Sequence, residues 1–322
     1  MDRKESQGTR SVRPRDLSLE AALDAGLLSF ATKHRMPGIT RSVCRNCLIE
    51  QLVESTRRIK YISVIRNQNL SDLRLDPNSE LFDPLKAAIL HQRRQDVDEA
   101  FWMVFFFVHF GKHRSTGWRL ARDIYGALGS SKNWTWERVS SNPKAFRRWL
   151  DSNITRLQND GIARHFGNHR KYESLDAQSD RGTGAAVESY VHWVGPDRTH
   201  QRIIDQALTW ARGNPRKAFD YLFHSMKVAS FGRTAKFDYL TMLAKLHLAQ
   251  IDAGSPYLSG SSGPLRGARL LFGGNVNTDI KPTQLNNWLV ELARDLKVDM
   301  QTLEDGLCNW QKSPELFKPF RG

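Results

Sequence analysis

Between Val97 and Gly111 the chain offers almost no polar face. A segment that is apolar all round can only be stable as a helix buried on every side, so it needs a shell of other elements around it. The rest of the sequence supplies that shell as helices. Leu17, Leu19, Ala22, Leu23, Leu27 and Leu28 fall on one stripe at helical spacing, and Leu48, Leu52, Ile59 and Ile62 repeat the pattern within Cys44–Ile65. Asp83-Pro84 opens a third helix toward Gln92. After the central segment, helices are expected at Trp118–Leu128, Pro143–Asp160, Ala185–Val194, Gln201–Ala211, Pro215–Val228, Thr234–Leu248, Thr283–Leu296 and Asp299–Gln311. Strand-like alternation between tight turns is absent. The expected class is all-α. Its blocks are a disordered basic tail (1–16), an N-terminal helical region (17–95), a helical core (96–275) and C-terminal helices (276–322).

Charge narrows the partners. Lys plus Arg number 48 against 34 Asp plus Glu, a formal net charge of +14, which suits a polyanion. The longest apolar run, Phe101–Val108, is eight residues, against the ~20 of a spanning helix. Met1–Arg15 has no apolar stretch of a secretory signal. The three cysteines, Cys44, Cys47 and Cys308, are too few for a four-cysteine zinc or iron–sulfur site. No metal and no cofactor are expected. The expected setting is the cytoplasm, with double-stranded DNA carrying modified bases as partner, no membrane, no iron–sulfur cluster, and a monomer.

Two stretches carry candidate chemistry. Phe110-Gly111-Lys112-His113-Arg114 is echoed by Phe166-Gly167-Asn168-His169-Arg170. The echo reads either as two basic fingers or as coincidence plus helix capping by glycine. Then Lys227–Leu240 places a turn through Ser230–Gly232 between two helices, with Arg233 and Thr234 opening the second. Backbone N–H groups at such a helix start can hold a phosphate.

This turn resembles the hairpin of the helix-hairpin-helix DNA glycosylases, with Ala229 and Ser230 where that family usually has Pro and Gly. The hairpin is placed near residues 228–235. In that family a catalytic Asp follows the second Gly by about 20 residues, and here Asp252 lies 20 residues beyond Gly232. The resemblance implies that Asp252 stabilises the sugar cation that develops as the base–sugar bond breaks. Thr234 stands where the bifunctional members carry a Schiff-base lysine, which implies a monofunctional enzyme leaving an abasic site. Asp205, 21 residues past Gly184, reads instead as a solvent-facing helix residue. The resemblance further implies a two-lobed helical fold with an extra N-terminal region. It places Asn168, His169, Arg170 and Lys171 in a loop entering the duplex, and Ser230, Gly232, Arg233 and Thr234 on phosphates. His109, Lys112 and His113, with Arg266 and Arg269 of the glycine-rich stretch Ser259–Arg269, are expected in the base pocket. That stretch lacks a P-loop signature and reads as an anion-binding turn or a pocket wall.

Phe166–Leu175, Phe231–Leu240 and Gly263–Phe272 together look like one branch of this superfamily, the alpha-glutamyl/putrescinyl thymine pyrophosphorylase-like proteins. That branch implies base flipping and removal of a hypermodified pyrimidine from phage DNA, with glucosylated hydroxymethylcytosine favoured, in antiviral defence. The alternatives are displacement of pyrophosphate from an activated hydroxymethyluracil in DNA, or DNA binding without catalysis.

Overall fold

A computed structural model gives the fold and describes residues 13–167 and 170–320. Among them are fourteen α-helices and no strand; the one isolated antiparallel bridge joins His113 to Gly117. The all-α expectation holds. No helix among the described residues is long and apolar enough to cross a membrane.

The chain forms two compact units. One joins the chain up to Lys60 to Ser255–Phe320, and the other is Tyr61–Gly254. The units therefore cut across the contiguous blocks read along the sequence. In the first, α1 (Leu17–Lys33) and the start of α2 (Ser42–Asn67) meet α12 (Gly263–Gly273), α13 (Pro282–Leu296) and α14 (Met300–Trp310). Leu23, Leu27, Phe30, Leu48, Leu52, Leu289 and Trp310 fill its core, and the Trp310 Nε1–H donates to the Cys44 carbonyl at 3.1 Å. Burial pushes the Cys47 thiol up to about 12; it donates to the Ser313 carbonyl. A thiol held protonated in this way packs as a small apolar group.

Arg13–Asp16, the end of the expected disordered tail, are ordered. Pro14–Asp16 form a 3₁₀ turn, and Arg57 Nε donates to Asp16 at 2.9 Å. Residues 1–12 lie outside the described residues. The Ser259–Arg269 stretch is not a turn throughout, because Gly263 onward is helix α12. Its glycines reflect close approach: a Cβ on Gly267 would meet the Leu307 carbonyl oxygen of α14 at 2.4 Å. Pro264, in the first helical turn, costs no hydrogen bond there.

The second unit is built on α4 (Val97–Phe110), where Phe101, Trp102, Phe105, Phe106 and Phe110 are fully buried. Around it lie α3 (Pro84–Arg93), α5 (Arg119–Tyr125), α6 (Trp136–Ser141), α7 (Pro143–Asn159), α8 (Thr183–Val194), α9 (His200–Trp210), α10 (Pro215–Ser225) and α11 (Arg233–Lys245). Asp83 caps α3 by accepting from the N–H groups of Leu85 and Lys86. Ring stacking fixes the approach of the shell: Tyr190 of α8 sits 4.5 Å from Phe105, and Phe231 lies parallel to Phe105 at 5.2 Å.

Candidate nucleic-acid interface

α4 ends because Gly111 adopts φ +64°, a conformation that side chains disfavour. The chain then turns tightly, with the N–H groups of His113 and Gly117 each donating to the other's carbonyl. His113 Nδ1 accepts from the N–H of Thr116 at 3.2 Å, while Lys112 and Arg114 stay exposed. The echoed segment packs against this corner. The Gly167 N–H donates to the Phe110 carbonyl at 2.8 Å, and the Phe110 and Phe166 rings stack 5.7 Å apart. A Cβ on Gly167 would lie 2.8 Å from the Gly111 carbonyl carbon. The repeated Phe-Gly is thus a pairing of two loops that only glycine permits at this contact.

Asn168 and His169 lie outside the described residues. Arg170 turns inward: its Nε donates to the Val108 carbonyl at 2.7 Å, and its Nη2 to Asp238 of α11 at 2.9 Å. Lys171 and Tyr172 face solvent. Glu173 is half-buried, and its carboxyl meets the Ser230 hydroxyl; burial raises its pKa above the usual carboxylate value, against the pull of Arg170 and Ser230. This bond ties the loop to the α10–α11 hairpin.

Within the hairpin, Ser230 takes φ +62°, and its single hydroxyl proton is shared between the Glu173 carboxyl and the Arg181 carbonyl. Phe231 is plugged into the core beside Phe105 and His109. Gly232 caps α11 without a side chain. Gly232 and Thr234 are exposed, while the Arg233 guanidinium lies over the Phe237 ring at 4.6 Å. Lys236 points back toward the Phe223 carbonyl at 3.4 Å, and burial together with Lys227 lowers its ammonium pKa.

His109 is not a surface donor. It is 1% exposed, and burial, with Arg170 nearby, lowers its pKa to about 3. The Thr183 hydroxyl is spent on the Ser174 carbonyl, so the His109 Nε2 at 3.0 Å carries the proton it donates to Thr183. Arg266 and Arg269 lie on α12 in the other unit, Arg266 exposed. Asp205 is exposed on α9 and accepts from Gln201, as its reading as a solvent-facing residue expects.

Asp252 is not brought to the hairpin. Its N–H donates to the Pro215 carbonyl at the start of α10, and its half-exposed carboxylate accepts from Arg216 Nε at 3.0 Å. The hairpin follows the far end of α10, eleven residues on, or ~16 Å at 1.5 Å per residue.

At the opposite end of α4 lies a second feature that the sequence reading did not single out. A cavity of about 740 Å³ is lined by Asp96, Asp98, Glu99, Tyr125, Trp136 and Arg138, among others. Glu99 is 4% exposed and accepts from the Tyr125 hydroxyl and the Trp136 N–H. Burial raises its pKa to about 7, against those hydrogen bonds. Burial also works to raise Asp98, but the bonds it receives from His200 outweigh this and hold it ionised below the usual range. His200 Nδ1 donates to Asp98 at 2.7 Å, so its Nε2 accepts from Tyr190, whose oxygen in turn accepts from Tyr239. The one signal for this chain was the Asp98-Glu99 pair opening an otherwise apolar helix. Among the described residues no group of three or more His, Cys, Asp or Glu is gathered as a metal site.

Fold and site define an all-helical protein with a basic, glycine-paired hairpin end on its central helix. The chain belongs to the alpha-glutamyl/putrescinyl thymine pyrophosphorylase clade 3 family, whose model matches residues 43–322. That is the branch which the Phe166 and Phe231 strings resemble; the match speaks for the branch and not for the wider glycosylase superfamily or a particular target base. No curated protein and no solved structure matches the chain.

Proposed function

We propose that this protein is an enzyme of DNA base chemistry that grips the duplex backbone with the hairpin end of α4. Its target is a pyrimidine carrying a bulky or activated 5-substituent. One observation carries the reading: both Phe-Gly loops and the α10–α11 hairpin meet at one helix end, with Lys112, Arg114 and Lys171 exposed on those loops. Its family description names thymine and pyrophosphate. In the favoured chemistry an amine nitrogen bonds to the 5-methylene carbon of an activated hydroxymethyluracil. The carbon–oxygen bond breaks, its electron pair leaves with pyrophosphate, and the nitrogen sheds a proton to Glu173. A half-buried carboxyl with a raised pKa suits that role. The α11 N–H groups, with Lys227 and Arg233, suit the charge that builds on the leaving group.

The second reading is hydrolysis of the base–sugar bond of glucosylated hydroxymethylcytosine in antiviral defence. There water would add to the sugar carbon and the base would leave with a proton. Its support is that Asp252 is half-exposed beside Arg216, and the length of α10 between Asp252 and the hairpin weighs against it. The test supplies duplexes carrying hydroxymethyluracil, its pyrophosphate ester, or glucosylated hydroxymethylcytosine, with and without a primary amine. Pyrophosphate released only when ester and amine are both present, with no abasic sites, is the expected result. Abasic sites without pyrophosphate would reverse the two readings. DNA bound but no product from any duplex would remove both.

A further inference from the structure

Tyr172 is 89% exposed, more than any other large apolar side chain among the described residues. A ring left in water forgoes its burial free energy, so its position calls for a cause. A slack loop is not that cause, because the segment is fastened on both sides. Before the ring, Arg170 is bound to the Val108 carbonyl and to Asp238. After it, the Glu173 N–H donates to the Arg170 carbonyl at 2.9 Å, the Glu173 carboxyl meets Ser230, and Leu175 is buried. Only Lys171 and Tyr172 project, with the ammonium 4.9 Å from the ring centroid.

The surroundings select the occupant. A protein partner would want apolar neighbours around an anchoring ring, yet the flanking side chains are Lys171, Glu173 and Ser174. A lone π-face beside a cation, fastened to the hairpin, matches a nucleobase and its phosphate instead. We infer that Tyr172 stacks on an unpaired base of the bound DNA, with Lys171 on the adjoining phosphate. The inference rests on the DNA reading above and adds the residue that recognises an opened base pair.

The experiment compares affinities for a fully paired duplex and for the same duplex with one unpaired base. Wild-type protein should prefer the second. Tyr172→Ala should abolish that preference, about a tenfold loss on the unpaired duplex, in line with the usual weight of one base–aromatic stack. Tyr172→Phe should keep it, since the ring and not the hydroxyl is used. Lys171→Ala should weaken both duplexes alike. An exposed side chain leaves the fold intact, which thermal unfolding checks. If Tyr172→Ala keeps the preference, or Tyr172→Phe loses it as fully as Ala, the stacking role is overturned while the DNA reading stands. A wild-type protein that binds neither duplex overturns both.

Discussion

The Arg170 guanidinium donates to the end of α4 and to Asp238, and its side chain is only 10% exposed, whereas Lys171 beside it points to solvent. Sequence places both in one basic loop with one expected job on phosphates. Physics separates them, because a buried guanidinium already bonded to two acceptors has little left to offer a phosphate. Arg170→Ala should therefore lower folding stability by roughly 1–3 kcal/mol, the usual effect of stripping partners from buried acceptors. Lys171→Ala should leave stability unchanged and flatten the salt dependence of DNA binding by about one unit. Denaturant unfolding and a salt titration of binding check the pair; equal stability loss in both variants would contradict the division. Glu173 gives the matching kinetic prediction. Its role as base needs the ionised form, so activity should fall as pH drops through a pKa above the ordinary 4.5. Glu173→Gln should cost on the order of 10²-fold in rate with binding retained. A pH profile unchanged in that variant would exclude the role.

Most of the helices were legible because packing in an all-α unit imposes the 3.6-residue period on the sequence. Asp83 and Asn142 cap helices through their side-chain oxygens where the pattern begins. Helix α12 was not legible: its glycines, present so that α14 can approach, mimic a turn. The Asp252 spacing is a different case, since a count of residues says nothing of the path. α11 stops at Lys245, and the chain then runs on to the start of α10 and not back to the hairpin. The paired loops can be tested directly. Gly167→Ala must push its Cβ into the backbone of Gly111 and Lys112 at 2.8–2.9 Å, and overpacking of that kind costs about 1–3 kcal/mol. Gly232→Ala meets open space around its Cβ, so it should cost only the poorer helix start that alanine gives at an N-cap, about 0.5–1 kcal/mol. On helix α4, Glu99 and His109 are shifted so that they act on stability in opposite directions with pH. Glu99 has its pKa raised from 4.5 to about 7, so its contribution is complete below pH 4.5 and is lost as pH rises through 7. His109 has its pKa lowered from 6.5 to about 3, so its contribution is present above 6.5 and is lost as pH falls toward 3. Glu99→Gln should remove about 3 kcal/mol of the decline between pH 4.5 and 8. An identical pH slope in wild type and variant would show that Glu99 is ionised throughout.

For the whole molecule the question is whether the net charge of +14 acts as a diffuse field or through one surface. A diffuse field would attract DNA in proportion to net charge, whichever cations supplied it. Local contacts release counterions only where a side chain meets a phosphate, and each contact adds about 0.9 to the slope of log affinity against log salt. Two triple variants of the second unit separate these cases. The first converts Lys112, Arg114 and Lys171, all exposed at the hairpin end of α4; the second converts Lys132, Lys144 and Lys217, exposed elsewhere on the same unit. Replacing each residue by Gln takes the net charge from +14 to +11 in both, three positive charges fewer. The first triple should lose close to three units of salt slope and most of the duplex affinity at 0.15 M salt. The second should shift affinity slightly at low salt and leave the slope alone, because screening over about 8 Å removes distant charges from the interaction. Equal losses in the two variants would mean that charge alone draws the protein to DNA, and the hairpin end of α4 would forfeit its claim as the interface.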